Sequence, residues 1–165
     1  MSYLKERPIN KSWSTDKVSE ESYSKKHPID ESWLTNKVTE DTVQYAEKLA
    51  QHLSEGSKNE KIQALTTTQL RKFFGAVKQL QMNVELYGYQ ESELVMLKPK
   101  LAYAAGRCHK NNSSFQTFKI DDFREVIDKA IDIVNHSTDK DLAFKNFIQF
   151  FEAIVAYHKV YGQDN

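Results

Sequence analysis

Hydrophobic positions recur along most of this chain at the spacing of helix faces. Val43, Ala46, Leu49, Ala50 and Leu53 make one stripe, and Gly56 follows as a C-terminal stop. The polar run SEGSKNEK (54–61) reads as a linker. Thr66 with Gln69 three residues on has the form of a capping box, in which each side chain satisfies a free backbone N–H of the other. It opens a long second helix with Leu70, Phe73, Phe74, Val77, Leu80, Val84 and Tyr87 on one side and Gly88 at its end. A third helix is predicted over roughly 92–108. Its Pro99 either sits in the first turn of a helix starting near Lys98 or kinks a longer one, because proline lacks the N–H that a helix interior needs.

The polar loop HKNNSSFQ follows, and Asp121 or Asp122 is placed to cap a fourth helix whose inward side is Phe123, Val126, Ile127, Ala130, Ile131 and Val134. Thr138 or Asp139 begins a fifth, DLAFKNFIQFFEAIVAYHKVY, stopped at Gly162. That helix is apolar on nearly every side between Phe144 and Tyr161, so other helices must surround it. The predicted fold class is all-α: a compact bundle of about five helices over 43–165, with an extended or flexible N-terminal arm over 1–42.

The arm is a duplication. YLKERPINKSWSTDKVSEE (3–21) and YSKKHPIDESWLTNKVTED (23–41) align with a period of 20 and share Tyr3/Tyr23, Pro8/Pro28, Ile9/Ile29, Ser12/Ser32 and Trp13/Trp33, among others. Two copies are too few to build a solenoid. A polar background with proline buries little by itself, so the arm alone should be mobile. Both tryptophans of the protein sit at equivalent places in it. Trp13 and Trp33 are therefore candidate anchors for protein docking, where two weak contacts gain from effective concentration.

Composition narrows the class. The 165 residues are 39% hydrophobic and 28% charged, as in an ordinary globular protein, and are long enough for one core. No apolar run approaches the roughly 20 residues needed to cross a bilayer. MSYLKERPINKSW lacks the apolar centre of a secretory signal, and a single cysteine, Cys108, permits no internal disulfide. A cytoplasmic location is expected. His27, His52, His109, His136 and His158 have no metal-ligand spacing to one another or to Cys108, and there is no phosphate loop or nucleophile elbow. No catalytic residue, metal or cofactor is expected.

Charge is the informative property. The formal net charge is zero, yet residues 61–110 carry eight Lys/Arg against three acids, and residues 111–165 six against nine. Within LKPKLAYAAGRCHK (97–110) there are four Lys/Arg and no acid, spaced by small residues. On a helix Lys100, Tyr103 and Arg107 fall on one face, while Leu97, Leu101, Ala104 and Cys108 occupy another. Arg71 and Lys78 share a face of the second helix, with Gly75 between them. Two positive ridges separated by small residues would let a sugar-phosphate backbone approach, with affinity gained from phosphates and no base read. At this spacing Tyr103 could stack or donate to a phosphate, and half-buried packing is the competing reading.

TTTQLRKFFGAVKQL (66–80), LKPKLAYAAGR (97–107) and FKNFIQFFEAIVAYHK (144–159) together resemble the small subunit of the type III-A CRISPR effector, the Csm complex. The resemblance covers roughly 66–161 and does not reach the duplicated arm. It implies an all-helical bundle that is not a nuclease. Several copies would line up against the guide–target duplex, beside backbone and large subunits, to support target capture in antiviral defence. Partners so implied are CRISPR RNA and target RNA, the other subunits and further copies of the chain, with no membrane. Carried onto matched positions, Arg71, Lys72, Lys78, Lys98, Lys100 and Arg107 are the RNA-backbone candidates, with Tyr103 beside them and Lys110 just past the motif. His158 and Lys159 also match and could serve packing or subunit contacts. The alternative from the residues alone is a helical adaptor that binds only proteins, through the tandem tryptophan motifs of the arm.

Overall fold

The computed structural model describes residues 21–162. Along them run α1 (Tyr23–Lys26), α2 (Ser32–Thr35), α3 (Glu40–Ser54), β1 (Ile62–Gln63), α4 (Thr67–Tyr87), α5 (Glu91–Val95), α6 (Leu97–Asn111), β2 (Thr117–Phe118), α7 (Lys119–His136) and α8 (Lys140–Tyr161). The architecture is the helical bundle that the stripes predict.

The longest helix lies at its centre, as its all-round apolar sequence requires. Phe144, Phe147, Phe150, Phe151 and Ile154 of α8 are buried, and α2, α3, α4 and α7 pack around them. Tilted and edge-on aromatic pairs fill the middle. The Phe123 and Phe151 rings meet edge-to-face at 5.7 Å and those of Phe147 and Phe151 at 6.1 Å, within the range where ring quadrupoles attract. The inward side of α7 is fully closed off, from Phe123 to Val134. On α4 the stripe is buried at Leu70, Val77 and Leu80, but its predicted last member, Tyr87, is exposed because the final turn runs past the end of the core.

Helix ends follow local chemistry at several predicted places. Thr66 Oγ1 accepts from the Gln69 N–H at 3.1 Å while Gln69 Oε1 accepts from the Thr66 N–H at 2.9 Å, closing the capping box. Gly88 ends α4 at φ 82°, in the left-handed region that side chains with a Cβ avoid. Asp139 caps α8 by accepting from the Leu142 N–H at 3.0 Å. Pro99 stands third in α6, within the first turn, where its missing N–H has no intrahelical partner to lose.

Three expectations are corrected. Gly56 is not a helix stop: α3 ends at Ser54, and a Cβ at residue 56 would lie 3.0 Å from the Ala64 backbone N, so the glycine serves close approach of the returning chain. Asp121 and Asp122 do not cap α7. The helix starts two residues earlier, at Lys119, and both carboxylates stand in its first turn, where they complement the helix dipole. The third helix is broken at Met96 into α5 and α6, and α6 runs to Asn111. The flanking loops also carry a parallel pairing that no stripe predicts, Ile62 with Thr117 and Gln63 with Phe118.

The second repeat copy lies against the bundle. Leu34 is completely buried, Ile29 and Tyr23 pack on the core, and Trp33 meets the Tyr45 ring at 5.3 Å. Asn146, a buried polar residue of α8, donates from Nδ2 to the carbonyls of Leu34 at 2.8 Å and Asn36 at 3.1 Å. Trp13 and the first copy up to residue 20 fall outside the described residues. Asn146→Ala strips two carbonyls of their donor, so stability should drop by about 1–3 kcal/mol in urea unfolding, against under about 0.5 kcal/mol for the neighbouring exposed Lys145→Ala.

Candidate nucleic-acid interface

Helices α4 and α6 run antiparallel along one side. Gln69 near the start of α4 reaches Cys108 near the end of α6, with Nε2 3.7 Å from Sγ. Further along, Phe73, Ala76 and Val77 face Leu97, Lys100 and Leu101 around a small apolar gap backed by Ile127 and Phe151. The buried stripes of both helices point to α7 and α8, so their remaining faces look outward. Arg71 and Lys72 are exposed on α4, and Lys100, Arg107 and Lys110 on α6. None of these five has a carboxylate partner within 4 Å among the described residues.

Two predicted cations are engaged within the chain. Lys78 pairs with Glu152 of α8, donates to Gln81 Oε1 at 3.1 Å and lies 5.3 Å from the centre of the Phe74 ring. Lys98 pairs with Asp132 of α7. Both partners come from the acidic half of the sequence, more than thirty residues away, which no local pattern reveals. Such half-exposed pairs contribute little to stability but reduce the charge presented to a ligand.

Tyr103 is 69% exposed, so it is not a packing residue. The Arg107 guanidinium carbon is 5.9 Å from its ring centre, which lines up a cation and an aromatic face on one outer ridge. A Cβ built at Gly75 or at Gly106 would meet nothing within 4 Å. Neither glycine is demanded by packing inside the protein. Both leave low ground on the outer face, between or beside the cations.

The remaining chemistry is structural. His158 is fully buried on α8, with Nε2 donating to the Leu65 carbonyl at 2.8 Å and Nδ1 unpartnered among the described residues. Burial disfavours its charged form and holds its pKa below the usual histidine value, against the opposing carbonyl bond. Cys108 is buried, and desolvation pushes its thiol up, away from thiolate chemistry. His109 turns elsewhere, to Asp121 at 2.8 Å and to the face of Phe118. Among the described residues no three His, Cys, Asp or Glu side chains stand together as a metal site.

The family model described as Csm2 Type III-A matches residues 36–164. The chain belongs to the Csm2 family. It is thus a small subunit of the type III-A Csm effector complex, as its three sequence blocks imply. The match begins at the end of α2 and takes in both cationic helices and α8, while leaving most of the duplicated arm outside. Comparison with curated proteins and with solved structures returns no match. No helix among the described residues is long and apolar enough to cross a membrane.

His158 sets a pH test for this Csm2 chain. Its folded pKa is below its unfolded value, so the unfolded state binds the proton first and stability is lost as pH falls below about 6.5. Relative to wild type, His158→Gln should flatten urea-derived stability between pH 7.5 and 5.5, removing a slope of at most about 1.4 kcal/mol per pH unit.

Proposed function

We propose that this small subunit binds the RNA backbone without reading bases, through the outer faces of α4 and α6, and lines the guide–target duplex of the complex as a non-catalytic component. The carrying observation is the set of five exposed cations without carboxylate partners among the described residues, Arg71, Lys72, Lys100, Arg107 and Lys110, along two antiparallel helices. Lys100 and Arg107 are seven residues apart, about 10 Å along the helix, so their long side chains can reach separate phosphates of one strand. Guide sequence differs from spacer to spacer, so a subunit serving all of them must use charge and shape. Tyr103 is exposed on the same ridge, available to stack or donate.

Lys78 and Lys98 have secondary parts in this reading. Each must leave a carboxylate before it meets a phosphate, so its gain is a difference of two ion pairs. A few contacts per copy give weak binding alone, and an array of copies supplies avidity. The cytoplasm is the expected location, since that is where CRISPR RNA and its target are found together.

One observation supports protein contacts as well. Met82, Leu86 and Tyr87 are exposed in the last two turns of α4, and Met96 is exposed where α5 passes into α6. Exposed large apolar side chains at that end of the bundle suit contacts with the backbone and large subunits or with another copy.

In the assembled complex, Lys100→Ala and Arg107→Ala should each weaken target-RNA binding to a similar degree for every guide and lower the salt-dependence slope by about one. Lys78→Ala and Lys98→Ala should lower it by less than half as much. If the double variant of Lys100 and Arg107 kept both affinity and slope in filter-binding titrations, the protein-only adaptor would be the better reading.

A further inference from the structure

Where α1 and α2 meet α3, four rings gather round an opening. Tyr23 and His27 stand 4.7 Å apart, and Trp33 stands 5.3 Å from Tyr45 at an interplanar angle of 55°. The Tyr45 hydroxyl donates to the His27 carbonyl at 2.7 Å, which ties the two pairs together. With Asp41, Gln44 and Lys48 these rings line a cleft of about 450 Å³, a size within the range of ligand sites. Asp41, Gln44, Tyr45 and Lys48 follow one another at steps of three, one and three residues, so a single face of α3 forms one wall.

The protein does not use this chemistry for its own packing. Tyr23, Trp33 and Tyr45 are half-buried, and none has a lysine or arginine over its ring among the described residues. Asp41 is exposed and has no cationic partner within 4 Å among them. It stands one helical turn before Tyr45, so a carboxylate and the electron-rich ring faces border the same space. Both features attract a cation. No lining residue belongs to α4 or α6, so the cleft is separate from the cationic face.

We propose that this cleft receives an arginine side chain of a partner protein in the Csm complex, its guanidinium stacked on the Trp33 ring and its charge met by Asp41. Arginine fits better than lysine, because its planar and weakly hydrated head stacks on a ring while still offering N–H groups to a carboxylate. A nucleotide fits worse. Its phosphate would meet Asp41, with Lys48 the one permanent cation among the lining residues. Lys48 is seven residues from Asp41, about 10 Å along α3, and bounds the cleft at the end away from the carboxylate. The second repeat copy thus has a part of its own: it brings Tyr23, His27 and Trp33 to a wall that α3 alone cannot complete.

The test uses the full chain with Trp13→Phe, which leaves Trp33 as the single tryptophan. Its indole N–H resonance should shift saturably with N-acetylarginine methylamide, and the uncharged citrulline analogue should bind about five- to twentyfold more weakly. Asp41→Asn should weaken arginine binding about two- to fivefold, whereas Glu40→Gln, on the same turn but outside the cleft, should change it far less. Equal binding of the two probes, or equal effects of the two substitutions, overturns the cation site. A shift with uridine monophosphate and none with the arginine probe also overturns it, in favour of a nucleotide. The partner is tested in the complex. When a variant competes with wild-type chain for assembly, Asp41→Lys should be under-represented by about threefold or more and Glu40→Lys should not. Equal incorporation of Asp41→Lys and wild type overturns a partner's arginine as the occupant.

Discussion

A helix that is greasy all the way round cannot lie on a surface, and the rest of this fold follows from enclosing α8. Four helices must each turn an apolar side inward to cover it, and among them α3, α4 and α7 carry long stripes of the right period. Even its polar residues are used for closure. Asn146 holds the chain around α2 by its carbonyls, and His158 holds the entry to α4 through Leu65. Burial of these two groups is tolerated because each has bonds to backbone in place of water.

Enclosure also decides where charge can go. With the inner sides of α4 and α6 committed to the core, their lysines and arginines have only the outer faces left. The acids of α7 and α8 then sort those cations into two kinds. Lys78 and Lys98 lie close enough to Glu152 and Asp132 to be neutralised, whereas Arg71, Lys72, Lys100, Arg107 and Lys110 are out of reach of a carboxylate among the described residues. An uncharged sequence on average is therefore compatible with a cationic face, because opposite charges are separated by fold and not only by position in the chain.

The sequence made the bundle readable because its signals are local: stripes of period 3.6, the Thr66–Gln69 reciprocal bonds, Gly88 at a positive φ. What stayed hidden was long-range. Nothing near Gly56 announces that Ala64 returns to it, and nothing near Lys78 names Glu152. The repeat was visible at once, but the long-range contacts that seat its second copy on the bundle, with Leu34 buried and the Leu34 and Asn36 carbonyls bonded to Asn146, were not. The cationic residues of the candidate interface were legible as a cluster. Their division into free and paired members needed three dimensions.

The two-residue strands have a topological consequence. Ile62 pairs with Thr117 and the Lys61 carbonyl accepts from the Gln116 N–H at 2.8 Å, so the excursion that carries α4, α5 and α6 leaves and re-enters the structure through a single neck. Such a neck joins residues far apart in the chain, so its closure carries a loop entropy cost that the local helical contacts do not. The excursion is closed at its base by this pairing and held along its length by the packing of α4 on α8 and of α6 on α7, so both cationic helices are tied to the same core.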